Sequence, residues 1–578
     1  MLRRQFLRAA ASTVALAQSR PKPNVIIILT DDQGYGDLSA HGNPVLKTPQ
    51  MDRLHGQSVR FTDFHVAPMC TPTRGQLMSG VDALKNRACS VTAGRALLRR
   101  DLPTMAEVFK SGGYKTAIFG KWHLGDMYPY RPMDRGFDTA KYHLGFGISS
   151  APEFGNDYAN GTYRDNGVPK KFDGYCTDFW FREAISWIGA RKAANQPFLC
   201  YIPTNTPHGP AWVDAKYAAP YDKPKLPANF FGMIANLDEN LGKLLDYLDS
   251  ADLANNTIII FMTDNGATAG FTAHNAGMRG RKTQVYEGGH RVPCFIRWPG
   301  GGLRAAGDVK VPAQSQDILP TLIDLCELKK PANANFDGRS LAPVLKGKAD
   351  DVGDRIMIVQ YGQIPKKHEA TVIWGKWRLV NGVELYDIHA DAAQEKDVAA
   401  TNATVVDRMR THYDKWWAEI EPKLKDFLPM SIGAPQENPV MLCSSDWEEV
   451  YADNPGHVSD AVGGPRGGPW NVFVERDGDY EISLYRWHPL MKLALTAGRE
   501  VQKLTYGTLP VGKALPIAGA KIEVAGQTLS AVAKPGDVAI TLKTKLKKGT
   551  RTKLHAWFTG KDGADVSGVF YAMVKRIG

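Results

Sequence analysis

Two apolar runs rich in β-branched residues constrain this fold more than any other feature of the chain. Residues 25–29 read Val-Ile-Ile-Ile-Leu, and residues 257–262 read Thr-Ile-Ile-Ile-Phe-Met. Neither run alternates apolar with polar side chains, so each predicts a β-strand that is covered on both faces. Such strands belong to parallel sheets with helices packed on either side. The sequence therefore predicts an α/β fold with a largely parallel central sheet.

Helical patterns alternate with strand patterns along the chain. Residues 102–113 predict a helix with Thr104 near its N-cap and a glycine stop, and a strand follows over residues 116–119. Another apolar segment covers residues 198–202. A longer helix precedes the strand at 257–262, because its apolar side chains recur on one helical face. Those side chains are Ile234, Leu237, Leu241, Leu244, Leu245 and Leu248.

Polar side chains follow each of the four predicted strands. Open α/β sheets bind their ligands in the crevice outside the carboxyl ends of the strands, so we expect these side chains to meet there. In chain order they are Asp31, Asp32, Lys121, His123, His208, Asp264 and Asn265.

Three carboxylates and one amide oxygen in this set form a hard ligand group made only of oxygen. Such a group suits Ca²⁺ or Mg²⁺ and not a soft transition metal. An acidic pair after a strand also occurs in turns and helix caps, so one pair alone leaves both interpretations open. Two pairs, each after a buried strand, favour a metal site. The four residues are Asp31, Asp32, Asp264 and Asn265.

Residues 70–75, which read Cys-Thr-Pro-Thr-Arg-Gly, predict a helix start that attracts anions. Pro72 has the fixed φ that suits the first turn of a helix, so we expect Cys70 just before the helix N-terminus. Unpaired backbone N–H groups and the helix dipole favour negative charge there, and Arg74 adds a fixed positive charge. The alternative is a buried structural cysteine beside a helix start.

The Cys-x-Pro-x-Arg pattern of residues 70–74 resembles the signature of the type I, formylglycine-dependent sulfatases of the alkaline-phosphatase-like superfamily. The resemblance extends to both acidic pairs, to Gly280-Arg281-Lys282, and to Glu-Gly-Gly-His-Arg-Val-Pro at residues 287–293. It ends near residue 430. The resemblance implies a core with a mixed, largely parallel sheet, followed by a small α+β C-terminal subdomain.

The same resemblance implies that a maturation enzyme converts Cys70 to formylglycine (3-oxoalanine), whose hydrate attacks the sulfur of a sulfate ester. The implied metal ligands are Asp31, Asp32, Cys70, Asp264 and Asn265. The implied catalytic residues are Cys70, Arg74, Lys121, His123, His208 and Lys282.

Within this scheme each side chain has a distinct role. Fixed positive charges at Arg74, Lys121 and Lys282 stabilise the transferring group. His208, with Lys282, protonates the leaving alcohol, and His123 deprotonates the second hydroxyl of the hydrate so that sulfate leaves. His274 and His290 lack a matching motif and are left out of the predicted site.

At 578 residues the chain is long enough for two or three domains. We predict a catalytic domain over residues 21–345, a C-terminal sulfatase subdomain over 346–430, and an appended β-sandwich over 431–578. The subdomain is predicted to pack a short antiparallel sheet against one helix. That helix places Val405, Met409, Tyr413 and Trp416 on one face.

The β-sandwich prediction rests on strands that alternate with turns after residue 470. Asp477-Gly478 predicts a hairpin that joins residues 472–474 to the alternating strand from Tyr480. Large aromatic side chains in this region are either core residues or platforms that stack on sugar rings. They are Trp470, Trp487 and Trp557.

Residues 1–17 predict an export signal, because Arg3 and Arg4 precede an apolar run and a small-residue cleavage site. The paired arginines resemble a twin-arginine signal, which implies a periplasmic or secreted protein. No later apolar run approaches the length that spans a bilayer. Seven cysteines leave at least one unpaired, and folding in the cytoplasm before export argues for few disulfides.

The leading functional hypothesis is an exported, arylsulfatase-like sulfuric ester hydrolase that acts on a sulfated carbohydrate with Ca²⁺ or Mg²⁺ bound. The net charge of +11 favours polyanionic partners without choosing among sulfated glycans, nucleic acid and membranes. Export, the basic charge and the extra β-domain favour a glycan over a small aryl sulfate, and we predict no nucleic-acid partner and no membrane span. Two alternatives stay open: a phosphoester or phosphonate hydrolase of the same superfamily, and a non-catalytic glycan-binding protein.

Overall fold

The computed structural model describes residues 21–460 and 466–578, so the predicted export signal at 1–17 lies outside the described residues. Within the described ranges, ten strands form one mixed sheet whose five central strands are parallel. In order across the sheet they are Gly307–Val309, Val59–Phe61, Cys294–Arg297, Thr257–Thr263, Asn24–Thr30, Phe198–Pro203, Lys115–Lys121, Thr139–His143, Thr162–Asp165 and Val168–Lys171.

The central strand, Asn24–Thr30, is covered on both faces, which explains its uninterrupted apolar run. Val25 pairs with Leu199 on one side and with Ile258 on the other, and every residue of the strand is buried. Alternate side chains enter two different hydrophobic cores, one on each face of the sheet. The predicted α/β fold with a largely parallel sheet is confirmed.

Helices cover both faces of this sheet. One face packs against Pro49–Gly56, Cys176–Ala193 and Ala228–Ser250. The other packs against Cys70–Ser79, Met105–Ser111, Ile318–Leu325 and Ala342–Leu345. Shorter helices of the core are Ala83–Asn86, Ala215–Ala218 and Glu287–His290.

The helix predicted over residues 102–113 is shorter than expected, Met105–Ser111, because Thr104 caps it. The Thr104 Oγ1 accepts a hydrogen bond from the Glu107 N–H at 3.2 Å, and Glu107 Oε2 accepts one from the Thr104 N–H at 2.7 Å. This reciprocal capping box starts the helix and directs the chain into the strand Lys115–Lys121.

The C-terminal subdomain is a four-stranded antiparallel sheet packed against the helix Ala403–Ile420. Met409 and Tyr413 are buried on the helix face that contacts the sheet. The strands are Ile356–Gln360, Ala370–Trp374, Trp377–Val380 and Glu384–Asp387.

The remaining residues form a β-sandwich, because two sheets share one hydrophobic core. One sheet contains Met430–Ile432, Trp470–Val474, Arg551–Thr559, Gly519–Val524, Gln527–Val532 and Asp565–Gly568. The other contains Val440–Cys443, Tyr571–Arg576, Gly478–Tyr485 and Ile540–Leu546. The short helix Pro455–Asp460 precedes the second strand of the first sheet. The boundaries predicted near residues 345 and 430 stay a prediction.

The hairpin predicted at Asp477-Gly478 is wrong. Trp470–Val474 pairs with Arg551–Thr559, whereas Gly478–Tyr485 pairs with strands of the opposite sheet. Asp477 Oδ1 instead accepts a hydrogen bond from the Lys548 N–H at 2.8 Å, so the dipeptide connects the two layers of the sandwich. A two-residue turn signal does not say which strands will pair.

Burial answers two questions that the sequence left open. Trp470 and Trp487 lie in the sandwich core, and Trp557 is half-buried. All seven cysteines are buried, and none forms a disulfide among the described residues. Within residues 21–460 and 466–578, no helix has both the length and the apolar character needed to cross a membrane.

Candidate active site

The carboxyl ends of the central strands meet at one edge of the sheet and bring the predicted residues together. The Asp31 N–H donates to the Thr206 carbonyl at 3.1 Å, and the Asp264 N–H donates to the Thr30 carbonyl at 3.0 Å. These backbone hydrogen bonds join three neighbouring strand ends. They fix where the acidic side chains lie relative to the loop that carries His208.

The predicted ligands form one cluster around Cys70. The ligand atoms of Asp31, Asp32, Cys70 and His208 all lie within 4.8 Å of one another. Cys70 Sγ lies 3.3 Å from Asp31 Oδ1. Asp264 is attached to this group, because its Oδ1 accepts a hydrogen bond from the Asp32 N–H at 3.2 Å.

The donor set fits a hard divalent cation. Asn265 Nδ2 donates to Asp32 Oδ1 at 2.9 Å, which leaves Asn265 Oδ1 buried with no hydrogen-bond partner among the described residues. A buried amide oxygen without a donor is costly unless a cation or a donor satisfies it. Together with the carboxylates of Asp31, Asp32 and Asp264, it completes an oxygen group of the kind that Ca²⁺ and Mg²⁺ prefer.

Three cations balance the three carboxylates, two of them buried and the third, Lys282, partly exposed. Lys121 Nζ donates to Asp31 Oδ2 at 2.7 Å, and Lys282 Nζ is paired with Asp32 Oδ1. Arg74 donates to Asp264 Oδ2 from Nε at 3.1 Å and from Nη2 at 2.7 Å. Because these charges cancel, a bound divalent cation would leave the site positive, which suits an anionic ester.

Cys70 occupies the first turn of a buried helix, Cys70–Ser79. The prediction placed it just before the helix, whereas Met69 is the N-cap and Cys70 is the first helical residue. Arg74 lies one turn further on, so its guanidinium and the free N–H groups of the first turn are on the same side as residue 70. Lys282 Nζ lies 3.5 Å from Cys70 Sγ. The predicted nucleophile therefore has both the Lys282 ammonium and the Asp31 carboxylate as close neighbours.

The two predicted histidines differ in what their rings contact. His123 Nε2 faces the Val91 carbonyl at 3.4 Å, while its Nδ1 is buried and has no partner within the described ranges. His208 Nδ1 is 2.6 Å from the Gly209 carbonyl, and its Nε2 is 3.7 Å from Asp32 Oδ2. Since a carbonyl only accepts, we assign the Nδ1 proton of His208 to that bond, which leaves Nε2 free to exchange a proton.

Burial and neighbouring charges set the protonation of the site. Burial, helped by the charge of Lys121, lowers the pKa of His123 well below its usual value. Burial lowers the pKa of His208 to about 3, although Asp32 opposes that change. Burial and the nearby Asp31 carboxylate raise the pKa of Asp264 to about 6. Both histidines are therefore neutral near pH 7 before a substrate brings in negative charge.

The backbone holds two of these residues in an unusual conformation. Asp32 has a φ of 68° and His123 a φ of 57°, both in the left-handed region that residues with a Cβ seldom adopt. Such strain costs on the order of 1–3 kcal/mol per residue and persists where the surroundings over-determine it. Here it occurs at Asp32, which belongs to the cluster around Cys70, and at His123, which follows the strand that ends at Lys121.

A second group of buried polar residues lies outside the site and includes His290, which was left out of the prediction. His65 Nδ1 lies 3.0 Å from His290 Nδ1, and Arg378 donates to Glu287 Oε1 and to Asp63 Oδ1, each at 2.7 Å. Arg378 comes from the C-terminal subdomain, so this network joins it to the catalytic domain. A guanidinium already pairs with both carboxylates, which argues against a cation here.

One residue at the site was missed by the sequence reasoning. Tyr361, which directly follows the subdomain strand Ile356–Gln360, packs against Met69 and Cys70. It is 7% exposed, and its hydroxyl is buried without a hydrogen-bond partner among the described residues. No motif marks it, because its place depends on how the subdomain docks on the catalytic domain.

Comparisons with known proteins agree with this geometry. The family model described as Sulfatase matches residues 23–328. The chain is 28% identical over 399 residues to N-acetylgalactosamine-6-sulfatase of Mus musculus, covering 62% of this chain and 74% of the relative. It is 30% identical over 384 residues to arylsulfatase G of Mus musculus, covering 58% of this chain and 71% of the relative.

A solved structure described as Ps i-CgsB in complex with k-i-k-neocarrahexaose superposes with a TM-score of 0.63 at 27% identity. The superposition covers 70% of this chain and 94% of that one. The family match includes both acidic pairs, the Cys70 helix and Lys282, and it spans more than half of the chain. The chain therefore belongs to the sulfatase family and is a sulfatase.

Proposed function

We propose that this sulfatase hydrolyses sulfate monoesters on a sulfated carbohydrate, with a formylglycine made from Cys70 and a bound Ca²⁺ or Mg²⁺. The observation that carries the proposal is the placement of Cys70. It lies in the first turn of a buried helix, within 3.3 Å of Asp31 and 3.5 Å of Lys282. Its thiol forms no disulfide among the described residues.

The carbohydrate class is supported by what similar proteins are named for. One relative is named for N-acetylgalactosamine-6-sulfate, and one similar structure holds a neocarrahexaose. The positive net charge of +11 adds a general attraction for sulfated polymers. Neither observation selects the sugar or the sulfated position.

Asp31, Asp32, Asp264 and Asn265 would hold the cation, beside residue 70. When bound, the cation would withdraw electron density from the sulfate oxygens and favour the ionised form of the formylglycine hydroxyl. Lys121 pairs with Asp31, and Lys282 lowers the pKa of Asp32 against the effect of burial. Arg74 pairs with Asp264 and opposes the burial that raises the pKa of this carboxyl to about 6.

The fixed cations also bind the sulfate group. Arg74 is held by Asp264 and by the Lys121 carbonyl, which accepts from Nη1 at 3.0 Å, so its guanidinium does not have to reorganise during the reaction. Preorganised charge of this kind is usually the largest contribution to such catalysis. Lys282 reaches both Asp32 and Cys70, which places it between the cation site and the substrate.

The histidines move the protons. As the ionised hydroxyl of the residue-70 hydrate forms a bond to sulfur, the bond between sulfur and the leaving alcohol oxygen breaks, and that oxygen takes a proton from His208 Nε2. Binding of the anionic ester raises the pKa of His208 from its low starting value, because negative charge beside the ring stabilises its protonated form. His123 is neutral and has a free Nδ1, so it can accept the proton of the second hydroxyl as sulfate is released.

We further infer that the protein is exported to the periplasm or beyond. Support comes from residues 1–17, where Arg3 and Arg4 precede an apolar run and a small-residue cleavage site. Conversion of Cys70 by a maturation enzyme would then take place before export, because a twin-arginine route carries folded proteins.

Mass spectrometry of the peptide that contains Cys70 tests the proposal, combined with sulfate release from sulfated sugars. Protein from a host that modifies sulfatases should carry an aldehyde at residue 70. Cys70→Ala should abolish sulfate release, whereas Cys89→Ala, at another buried free cysteine, should not. A thiol at residue 70 in protein that still releases sulfate would refute the formylglycine.

A further inference from the structure

A groove of about 590 Å³ lies between the catalytic domain and the C-terminal subdomain and reaches Tyr361, which belongs to the same cluster as Cys70. Its volume lies within the range of about 300–1,000 Å³ that is typical of small-molecule sites. Its lining includes Thr283, Gln284, Tyr286, Tyr361, Gln363 and Asn381. We refer to it as the Tyr361 groove.

The groove begins at the reaction centre. Tyr361 contributes to its lining and also contacts Cys70. Thr283 lines it from the other side and directly follows Lys282, whose Nζ lies 3.5 Å from Cys70 Sγ. A substrate whose sulfate lies at residue 70 therefore extends into this groove.

The subdomain wall is held in place by hydrogen bonds at both ends of its loop. Gln360 Nε2 donates to the Lys366 carbonyl at 2.9 Å, and the Tyr361 N–H donates to the Glu369 carbonyl at 3.3 Å. The His368 N–H donates to the Tyr413 hydroxyl at 2.9 Å. The loop is thus tied to its own strand and to the long helix of the subdomain.

The catalytic-domain wall is equally fixed. The Thr283 N–H donates to the Pro68 carbonyl at 2.8 Å, and Thr371 Oγ1 donates to the Val285 carbonyl. The Tyr286 hydroxyl donates to Glu384 Oε2 at 3.0 Å. A site whose walls are already ordered loses little conformational entropy when a ligand binds.

The chemistry of the lining suits neutral hydroxyl groups. Gln284, Gln363 and Asn381 carry amides, and the buried Tyr361 hydroxyl lacks a partner among the described residues. The charged side chains Lys366 and Glu369 lie 3.9 Å apart and offset one another. Amides and phenols donate and accept hydrogen bonds without selecting for charge, as recognition of a sugar ring requires.

We propose that the Tyr361 groove binds the carbohydrate chain of the substrate. The Tyr361 hydroxyl contacts the sugar that carries the sulfate ester, and the amides beyond it, Gln363 foremost, contact the neighbouring sugars. The proposal rests on the proposed sulfatase reaction at Cys70. It adds that the enzyme distinguishes a sulfated oligosaccharide from a sulfated monosaccharide.

The test compares chain lengths on the mature, full-length enzyme. The probes are a chondroitin sulfate hexasaccharide and a carrageenan hexasaccharide, each beside the sulfated monosaccharide it contains, with 4-nitrophenyl sulfate as a substrate that lacks a sugar. Gln363→Ala should lower kcat/KM for a cleaved hexasaccharide about threefold to tenfold relative to its monosaccharide. Tyr361→Phe should lower kcat/KM for the saccharides by a similar factor relative to 4-nitrophenyl sulfate.

Two matched variants control for general damage. Tyr114→Phe removes another buried tyrosine hydroxyl without a partner, and Gln57→Ala removes an exposed glutamine far from the groove. Neither should change these ratios. Equal losses on all substrates, or no loss on any, would overturn the groove proposal, as would a wild-type enzyme that cleaves only 4-nitrophenyl sulfate.

Binding to Cys70→Ala protein separates this proposal from the reaction itself. Titration of each hexasaccharide into this variant should show a Kd that Gln363→Ala weakens about threefold to tenfold. If the wild-type enzyme releases no sulfate from any probe, the proposed reaction fails, and the titration still decides the groove. The groove proposal alone is rejected if the hexasaccharide and the monosaccharide have the same Kd and Gln363→Ala changes neither value.

Discussion

Asn265 donates a hydrogen bond to Asp32 Oδ1 across 2.9 Å and leaves its own Oδ1 buried without a partner among the described residues. The amide therefore orients one carboxylate and directs its oxygen into the cluster around Cys70. An oxygen in that position gains a partner only when a cation binds.

Removal of divalent cations is expected to lower the thermal midpoint of unfolding and to abolish sulfate release. At a cation concentration 100 times the Kd, binding stabilises the folded state by about 2.7 kcal/mol. Asn265→Ala should shift the restoring Ca²⁺ or Mg²⁺ titration to higher concentration, as followed by differential scanning fluorimetry. Asn471→Ala, in the β-sandwich, is the control. If neither the chelator nor added cation changes the thermal midpoint of the wild-type protein, the metal site is contradicted.

Arg74→Lys is expected to reduce kcat by about 10²–10³-fold, the loss seen when one preorganised donor is removed. Lysine keeps the charge, but it cannot reproduce the two hydrogen bonds from Nε and Nη2 to Asp264 Oδ2. Steady-state kinetics on a sulfate ester measure the effect. Arg53→Lys alters an exposed ion pair with Asp246 and should leave kcat unchanged. Full activity in Arg74→Lys would show that charge alone suffices at this position.

Arg378→Met is expected to destabilise the protein by about 3–5 kcal/mol, because it leaves the buried carboxylates of Asp63 and Glu287 without their cation. Burial opposes ionisation of Glu287, and the charge of Arg378 holds its pKa at about 2. Thermal unfolding measures the change. The matched variant Arg408→Met breaks an exposed pair with Asp354 and should leave the midpoint of unfolding almost unchanged. Equal midpoints for the two variants would argue against the docking role of Arg378.

Asp126 is expected to make the protein less stable as the pH rises from about 4 to 8. Burial, with the neighbouring Asp446, raises the pKa of Asp126 to about 8, so the folded state holds a proton that the unfolded state releases near pH 4. The folded state therefore loses relative stability through this window, and the full cost is present above pH 8.

Asp126→Asn should remove this cost, since Asn keeps the acceptor that the Gly145 N–H bonds at 2.8 Å and carries no charge. Its thermal midpoint should exceed that of the wild type at pH 8 and approach it at pH 5. Asp157→Asn, a half-buried carboxylate of the same domain, serves as the comparison. A midpoint difference that is the same at both pH values would exclude titration of Asp126 as the cause.

The strand ends could be predicted from the sequence because burial on both faces leaves an unmistakable apolar run. Asp31, Asp264 and Lys121 follow such runs, and parallel strands place their carboxyl ends at one edge. The helix at Cys70 could also be predicted, since Pro72 favours a helix start and Gly80 a helix end. It begins at Cys70 itself, two residues before Pro72.

Contacts between separate units could not be predicted in this way. Asp477-Gly478 reads as a hairpin, yet the partner strands on either side come from distant parts of the chain. Tyr361 lies in the Cys70 cluster because the subdomain docks on the catalytic domain, through contacts that include those of Arg378. Local patterns report burial and turn chemistry, but they carry no information about which surfaces meet.

The burial of Cys70 limits the time during which another enzyme can modify its side chain. Its side chain is 1% exposed, beneath strand ends and a subdomain that close over it. A second enzyme has no access to a thiol in that position once the fold is complete. The proposed conversion to an aldehyde would therefore have to precede folding of this segment, so the speed of synthesis and folding would decide what fraction of the molecules becomes active.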